Sequence, residues 1–112
     1  MLRVPVSHIA VSAITALDRK LDVTANNIAN VNTDEFKKSR AVFQTRDIPG
    51  VSVTITEVDT PGTTQPSGLE SSNVNLAEEF AGLITTQHSQ TANVKVIEAE
   101  DEMQESLFDV FA

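Results

Sequence analysis

Residues 76–112 read LAEEFAGLITTQHSQTANVKVIEAEDEMQESLFDVFA and decide the fold of this 112-residue chain. Apolar and amide side chains recur along them at alternating spacings of four and three residues, which is typical of one face of an α-helix. The residues at this spacing are Leu76, Phe80, Leu83, Gln87, Gln90, Val94, Ile97, Asp101, Gln104, Phe108 and Phe111. Asn75 followed by Glu78 predicts a capping box at the first turn. A helix of this length would be about 55 Å long, whereas a compact chain of this size has a radius of gyration of only about 13 Å. The pattern therefore predicts an elongated molecule.

A second helix is predicted over residues 7–30. Its apolar stripe, again at spacings of four and three, consists of Ala10, Ile14, Leu17, Leu21, Thr24 and Ile28. We expect Ser7 to be the N-cap of this helix. Asn30 or Asn32 is expected to terminate it, because asparagine tolerates the left-handed conformation found at helix ends.

Between the two helices the period of the pattern changes. Val51, Val53 and Ile55 alternate with polar residues, which predicts a half-buried strand, and the preceding Pro49-Gly50 predicts a turn. A second strand over residues 40–44 would complete a β-hairpin. Residues 60–68 hold two prolines and two glycines and are expected to form a mobile loop or linker.

The predicted fold class is mainly α. Long N- and C-terminal helices pair as an antiparallel coiled coil, with a small β-hairpin and a loop between them. The expected organisation is an N-terminal helix with an Asn-rich motif over residues 1–40, the hairpin and Pro/Gly loop over residues 41–70, and the long C-terminal helix over residues 71–112.

Composition excludes several classes of function. The net charge of −8 disfavours binding to nucleic acid, and the absence of cysteine excludes thiolate metal sites. No window is apolar enough for a membrane span, so no membrane insertion is expected. Polar residues interrupt the apolar run of residues 1–17, so we expect no cleaved signal peptide. Residues 1–46 carry a net charge of +3 and residues 76–112 a net charge of −7, which favours association of the two ends within a chain or between chains.

No residue pattern points to catalysis. His8 and His88 lie at opposite ends of the chain without other ligands at metal-binding spacing. The acidic run Glu98, Glu100, Asp101, Glu102 and Glu105 lacks the glycine turn of a calcium loop, and no glycine-rich phosphate loop is present. We therefore expect no enzyme activity, no small-molecule substrate, no cofactor and no metal. Two functions stay open besides that of a structural subunit in a larger assembly, which is argued from the next motif. One is a coiled-coil adaptor or binding module that does not polymerise. The other is an enzyme that uses the acidic helix as a metal site.

The motif ANNIANVNTDEFKKSR, residues 25–40, is unusually rich in amide groups. Asparagine side chains donate and accept hydrogen bonds together, which suits them to hold backbone at a helix end or at a subunit contact. Phe36 offers an apolar anchor, and Lys37, Lys38 and Arg40 offer positive charge to the acidic C-terminal helix. Because two helices of unequal length cannot cover each other, the uncovered part of their seam needs a partner. The sequence therefore favours an assembly subunit.

Two segments resemble a known family. Residues 21–44, LDVTANNIANVNTDEFKKSRAVFQ, resemble the N-terminal signature of bacterial flagellar basal-body rod and hook axial proteins. Residues 71–103, SSNVNLAEEFAGLITTQHSQTANVKVIEAEDEM, resemble the C-terminal conserved segment of the same proteins. The resemblance implies terminal helices that pair in the inner core of a hollow helical tube. It also implies export through the flagellar type III apparatus without cleavage, a place in the periplasm-spanning rod of the basal body, and assembly with other rod subunits and with copies of the same chain.

The family motifs, together with the apolar stripes, define an expected assembly interface. Its residues are Ile14, Leu17, Leu21, Ala25, Asn26, Asn27, Ile28, Asn30, Asn32, Phe36, Asn73, Leu76, Phe80, Leu83, Gln87, Val94, Ile97, Met103 and Phe108. The chain departs from the family pattern in two ways. Many relatives have glycine before the phenylalanine, where this chain has Glu35. The insert between the two signatures is also short, which implies a minimal, proximal-rod-like member or a divergent paralogue.

Overall fold

The computed structural model describes residues 6–46 and 49–111, and its architecture is mainly α. The elements follow the order α1 (Val6–Ala29), β1 (Ser39–Thr45), β2 (Val51–Glu57) and α2 (Leu76–Phe111). The predicted fold class, two long helices with a small β-hairpin between them, is confirmed.

Helix α1 begins and ends within one residue of its predicted limits, but its ends differ in detail. Ser7 lies inside the helix, so the prediction that it is the N-cap is wrong. Asn30 is the first residue after the helix, and its side-chain Nδ2 donates to the carbonyl of Asn26 at 2.8 Å. Neither Asn30 nor Asn32 adopts a positive φ, because Asn30 satisfies the helix end with its side chain and the left-handed residue comes later, at Glu35.

Strands β1 and β2 pair with each other within the chain as an antiparallel hairpin, in a register that sets Ser39 opposite Glu57 and Thr45 opposite Val51. This confirms both predicted strands. Gly50 in the connecting turn has a φ of 151°, a conformation that side chains with a Cβ rarely adopt. The glycine therefore fits the tight return of the chain.

The Pro/Gly segment predicted as a mobile loop or linker has a defined course. The backbone N–H of Gln65 donates to the carbonyl of Leu69 at 2.8 Å, and that of Ser71 donates to the carbonyl of Thr63 at 2.8 Å. A bridge between Thr64 and Glu70 lies between these bonds. The segment therefore folds back on itself as a short antiparallel ladder. Its prolines and glycines lie outside the paired positions, so they do not interrupt the hydrogen bonds.

Helix α2 begins with the predicted Asn75 cap. The Oδ1 atom of Asn75 accepts from the N–H groups of Ala77 at 3.1 Å and Glu78 at 3.3 Å. The Glu78 carboxylate, expected to reach back to Asn75, instead lies 3.5 Å from Lys38 Nζ. The capping box is therefore half formed, because a cation competes for its glutamate.

The two helices run antiparallel, and α2 extends beyond the described part of α1. Asn27 contacts Glu79, and Asp18 contacts Gln90; extending this register at 1.5 Å per residue sets Val6 opposite Asp101. The molecule measures 75 × 26 × 13 Å with a radius of gyration of 19.5 Å, compared with about 13 Å for a compact chain of this length. The predicted elongation is confirmed.

Candidate assembly interface

Asn27 joins three elements of the fold. Its side-chain Nδ2 donates to the Ser39 carbonyl at 2.8 Å, and its Oδ1 accepts from the Ser39 N–H at 3.0 Å. The same Nδ2 lies 3.3 Å from an oxygen of Glu79 on α2. Only 2% of Asn27 is exposed. One buried amide thus fixes α1, the start of β1 and the start of α2 relative to one another.

Asn73 binds the backbone of Lys38, the residue that precedes Ser39. Its Oδ1 accepts from the Lys38 N–H at 2.7 Å, and its Nδ2 donates to the carbonyls of Val58 at 2.8 Å and Thr60 at 2.9 Å. We call Asn27, Asn73 and the backbone of Lys38 and Ser39 the polar junction. Buried backbone groups need partners, and here two asparagine side chains supply them.

The expectation that asparagines of the Asn-rich motif hold backbone is confirmed within the chain at two positions. Asn27 holds Ser39, and Asn30 holds the end of its own helix. Asn73, outside that motif, holds Lys38 in the same way. Asn26 and Asn32 are exposed and hold no backbone outside α1 among the described residues, so their role at a subunit contact stays a prediction.

Glu35 occupies a strained turn beside the junction. Its φ is 61°, a left-handed conformation that costs most residues about 1–2 kcal/mol, and its N–H donates to the Glu70 carbonyl at 2.7 Å. The resemblance described above implies glycine at this position in many relatives, and the backbone here has the positive φ that glycine adopts without strain. The neighbouring Phe36 is half-buried, and its carbonyl accepts from the Asn73 N–H at 3.3 Å.

Two lysines bring charge to the junction. Lys37 Nζ lies 3.0 Å from a Glu70 carboxylate oxygen, and Lys38 Nζ lies 3.5 Å from Glu78. The hydrogen bond and the charge of Lys37 lower the pKa of Glu70 below its usual value. The expected attraction to α2 is thus present through Lys38, whereas Arg40 forms no ion pair with any residue that the structure describes.

The seam between α1 and α2 is built from small side chains. The buried residues of α1 include Ala10, Ala16, Leu17 and Thr24, and Thr86 is the buried residue of α2, with 1% exposed. The Thr86 hydroxyl donates to the Gly82 carbonyl at 2.7 Å, so its burial leaves no unpaired donor.

Part of the seam predicted for α2 is wrong. Leu76, Phe80, Gln87 and Val94 are exposed, whereas Leu83, Gln90 and Ile97 are half-buried. The buried side chain of α2 is Thr86, and the half-buried Ser89 and Asn93 follow it at spacings of three and four residues. Hydropathy alone does not predict them, but small or polar residues at these spacings are the signal for close packing against another helix.

The larger apolar side chains of α2 lie on a different side of the helix pair. Glu78 and Glu79 face the hairpin base through Lys38 and Asn27, and helical spacing sets the large apolar side chains of the first half of α2 on the side away from the hairpin. Their exposed fractions reach 49% at Phe80 and 58% at Ile84. We call the exposed residues of this side the open face: Leu21, Leu76, Phe80, Ile84 and Val94.

The end of α2 beyond the described part of α1 is also exposed. We call residues 102–111 the overhang. Phe108 is 72% exposed and Phe111 is 78% exposed, and acidic side chains share the same helix turns. The overhang is therefore apolar and negatively charged at once, without cover from the described residues of its own chain.

The structure brings together some of the residues expected at the assembly interface and leaves others apart. Leu17 and Asn27 are buried, whereas Ile14, Ile28, Asn30, Phe36, Asn73, Leu83 and Ile97 are half-buried. The exposed ones are Leu21, Ala25, Asn26, Asn32, Leu76, Phe80, Gln87, Val94, Met103 and Phe108. Their role between subunits stays a prediction.

The described residues hold neither a candidate metal site nor a candidate membrane span. Within residues 6–46 and 49–111, no group of three His, Asp or Glu side chains is placed to hold a metal ion. No helix in these ranges is both long and apolar enough to cross a membrane. The structural features that stand out are surfaces, namely the open face and the overhang.

Two family models match the two ends of the chain. Residues 8–37 match the family described as flagella basal body rod protein. Residues 65–110 match the family described as flagellar basal body rod FlgEFG protein C-terminal. The matched ranges cover nearly all of α1, the Asn-rich turn and nearly all of α2, in the order expected for one protein.

Individual relatives agree with these matches. The chain is 43% identical over 82 residues to the flagellar basal-body rod protein FlgG of Bacillus subtilis, covering 73% of this chain and 29% of that protein. It is 36% identical over 91 residues to the flagellar hook protein FlgE of Borreliella burgdorferi, covering 81% and 19%. It is 47% identical over 49 residues to the flagellar hook protein FlgE of Caulobacter vibrioides, covering 44% and 8%. The chain spans less than one third of the length of these curated relatives. With both terminal signatures matched and placed on a paired helix scaffold, the chain belongs to the bacterial flagellar basal-body rod and hook protein family.

Proposed function

We propose that this chain is a structural, non-enzymatic subunit of the bacterial flagellar basal-body rod that assembles helically through its terminal helices. The observation that carries the proposal is the imbalance between buried and exposed apolar side chains. Among the described residues, the buried hydrophobic side chains are Ala10, Ala16 and Leu17, whereas 17 large hydrophobic side chains are exposed. Ten of these lie on the open face or the overhang, and exposed apolar patches mark interaction sites.

The position of this surface favours an assembly over a single partner. The open face lies along one side of the helix pair, and the overhang extends past its end, so two separate regions need cover. A subunit that contacts different neighbours through different patches forms a ring or a helical filament. The ends of the helices are expected to be loosely held until those neighbours are present.

Partners and location follow from family membership as parts of the proposal. The chain would contact other rod subunits and its own copies, pass through the flagellar export apparatus without a cleaved signal peptide, and reside in the basal-body rod. The short insert between the two signatures supports a minimal, proximal-rod-like subunit. A coiled-coil adaptor that binds one partner would share the open face but would never form filaments at high concentration.

The experiment replaces Ile97, half-buried at the helix seam, with aspartate. A buried carboxylate without a partner costs about 3–5 kcal/mol, so Ile97→Asp should remove the chain from purified hook–basal bodies and abolish swimming. Ile28→Asp tests the same requirement on α1. The matched control is Lys95→Asp, which adds a carboxylate two residues away at an exposed position and should leave assembly intact. Normal swimming with either isoleucine variant would contradict the proposal.

A further inference from the structure

The end of α2, from Asp101 into the overhang, carries one face that combines an aromatic anchor with acidic side chains. Asp101, Glu105 and Phe108 follow one another at spacings of four and three residues, so they lie along one line of the helix. All three are exposed. The ion pairs among the described residues are Lys37–Glu70, Lys38–Glu78 and Lys95–Glu98, so neither acid of this line has a cation partner there.

The hairpin side of α1 carries a groove that combines an apolar lining with positive charge. This groove, about 270 Å³ in volume, lies between α1 and β2. Ala16, Val51 and Val53 give it an apolar lining, and Arg19 and Arg46 also line it. None of the described residues that line it is acidic, and neither arginine takes part in an ion pair among the described residues.

The overhang cannot reach the groove of its own chain. Helix α2 is continuous from Leu76 to Phe111, and the overhang projects past Val6, whereas the groove lies beside residues 12–19 of α1. A continuous helix cannot turn back over that distance. If the groove accepts an overhang, the overhang belongs to a second copy.

We infer that the Asp101–Glu105–Phe108 line of one copy docks into the groove between α1 and β2 of the next copy. Phe108 covers the apolar lining, and the two carboxylates approach Arg19 and Arg46. This inference rests on the proposed function and gives it a specific contact. Because the two patches are different surfaces, each copy still offers one free overhang and one free groove, so the contact propagates as a filament rather than closing as a symmetric dimer.

The test is a charge swap in the full chain, with self-association measured by sedimentation velocity at moderate ionic strength. Arg19→Glu with Arg46→Glu, or Asp101→Lys with Glu105→Lys, should each weaken self-association at least tenfold. All four substitutions in one chain should restore it to within about threefold of the unaltered chain. Opposite charges brought together across an interface attract and like charges repel.

A matched control separates docking from overall charge. Glu57→Lys with Asp59→Lys changes the net charge as much as the acidic swap does, but these exposed residues lie at the far end of β2 from the groove and outside α2, so self-association should change by less than about threefold. Helical circular dichroism should be unchanged in every variant, since all six positions are exposed.

The outcomes distinguish the two proposals. If the unaltered chain self-associates but the fourfold variant is not restored, or the control is as weak as the swaps, the groove assignment is wrong and the rod proposal stands. If the unaltered chain never self-associates, the second copy is not the occupant and self-assembly itself is contradicted.

Discussion

Replacing Asn27 with alanine should destabilise the fold more than any other single asparagine change in the Asn-rich motif. The substitution removes two hydrogen bonds to the backbone of Ser39 and the contact with Glu79. Leaving buried backbone donors and acceptors without partners costs about 1–3 kcal/mol per group. Ser39 is half-buried, so each of its two backbone groups loses about 1–2 kcal/mol, the lower part of that range, and the total loss is about 2–4 kcal/mol. Domains of this size have only about 5–15 kcal/mol of stability.

The assay is urea unfolding of the full chain, followed by circular dichroism. With a slope of about 2 kcal/mol per molar urea, the middle of the usual range, the midpoint should fall by roughly 1–2 M. The matched control is Asn26→Ala, one residue earlier and exposed, where the midpoint should stay nearly constant because alanine favours the helix. Equal midpoints for the two variants would refute the claim that the Asn27 amide holds the polar junction together.

Three further changes test the turn and the loop. Lys37 lowers the pKa of Glu70, so the ion pair stabilises the fold above pH 4.5, and this stabilisation is lost as the pH falls through the lowered folded pKa. The melting temperature of Glu70→Gln should therefore lie below that of the unaltered chain at pH 7 and match it in strong acid. A difference in melting temperature that stays constant with pH would contradict the ion pair. Glu35→Gly should raise the unfolding free energy by up to about 1 kcal/mol, measured by urea unfolding, because glycine adopts the positive φ without strain; a loss would contradict the turn. A Cβ at Gly62 would lie 1.9 Å from a backbone oxygen, so Gly62→Ala should cost about 1–3 kcal/mol, whereas Gly82→Ala, with open space around it, should not destabilise α2.

The sequence predicted the limits of the helices and strands more accurately than it predicted which side of each helix is buried. The limits of α1, β1, β2 and α2 followed from periodicity, because helix and strand spacings are local properties of the chain. The residues that α2 buries against α1 could not be predicted in this way. Phe80 is more hydrophobic than Thr86, yet Thr86 is the buried residue and Phe80 is exposed. Small side chains let the helices approach closely, and the large ones stay on the open face.

The sequence predicted that asparagine side chains would hold backbone, but not which asparagines would form the polar junction. An Asn-rich turn indicated that amides would hold backbone, but which asparagine does so depends on where the hairpin lies against α1. Asn27 faces the hairpin and Asn26 does not, a difference of one residue that tertiary packing decides. The positive φ of Glu35 was likewise hidden, since only the glycine of the family pattern pointed to that turn.

The central claim is that the open face is covered by neighbouring subunits in the assembled rod. Hydroxyl-radical footprinting of the unaltered chain, as monomer and in purified hook–basal bodies, tests it without any substitution. Phe80 should be oxidised readily in the monomer and at least fivefold more slowly in the basal body, while the exposed His8 on α1, outside the open face and the overhang, keeps its rate. Equal oxidation of Phe80 in both states, or absence of the chain from the basal body, would contradict the account.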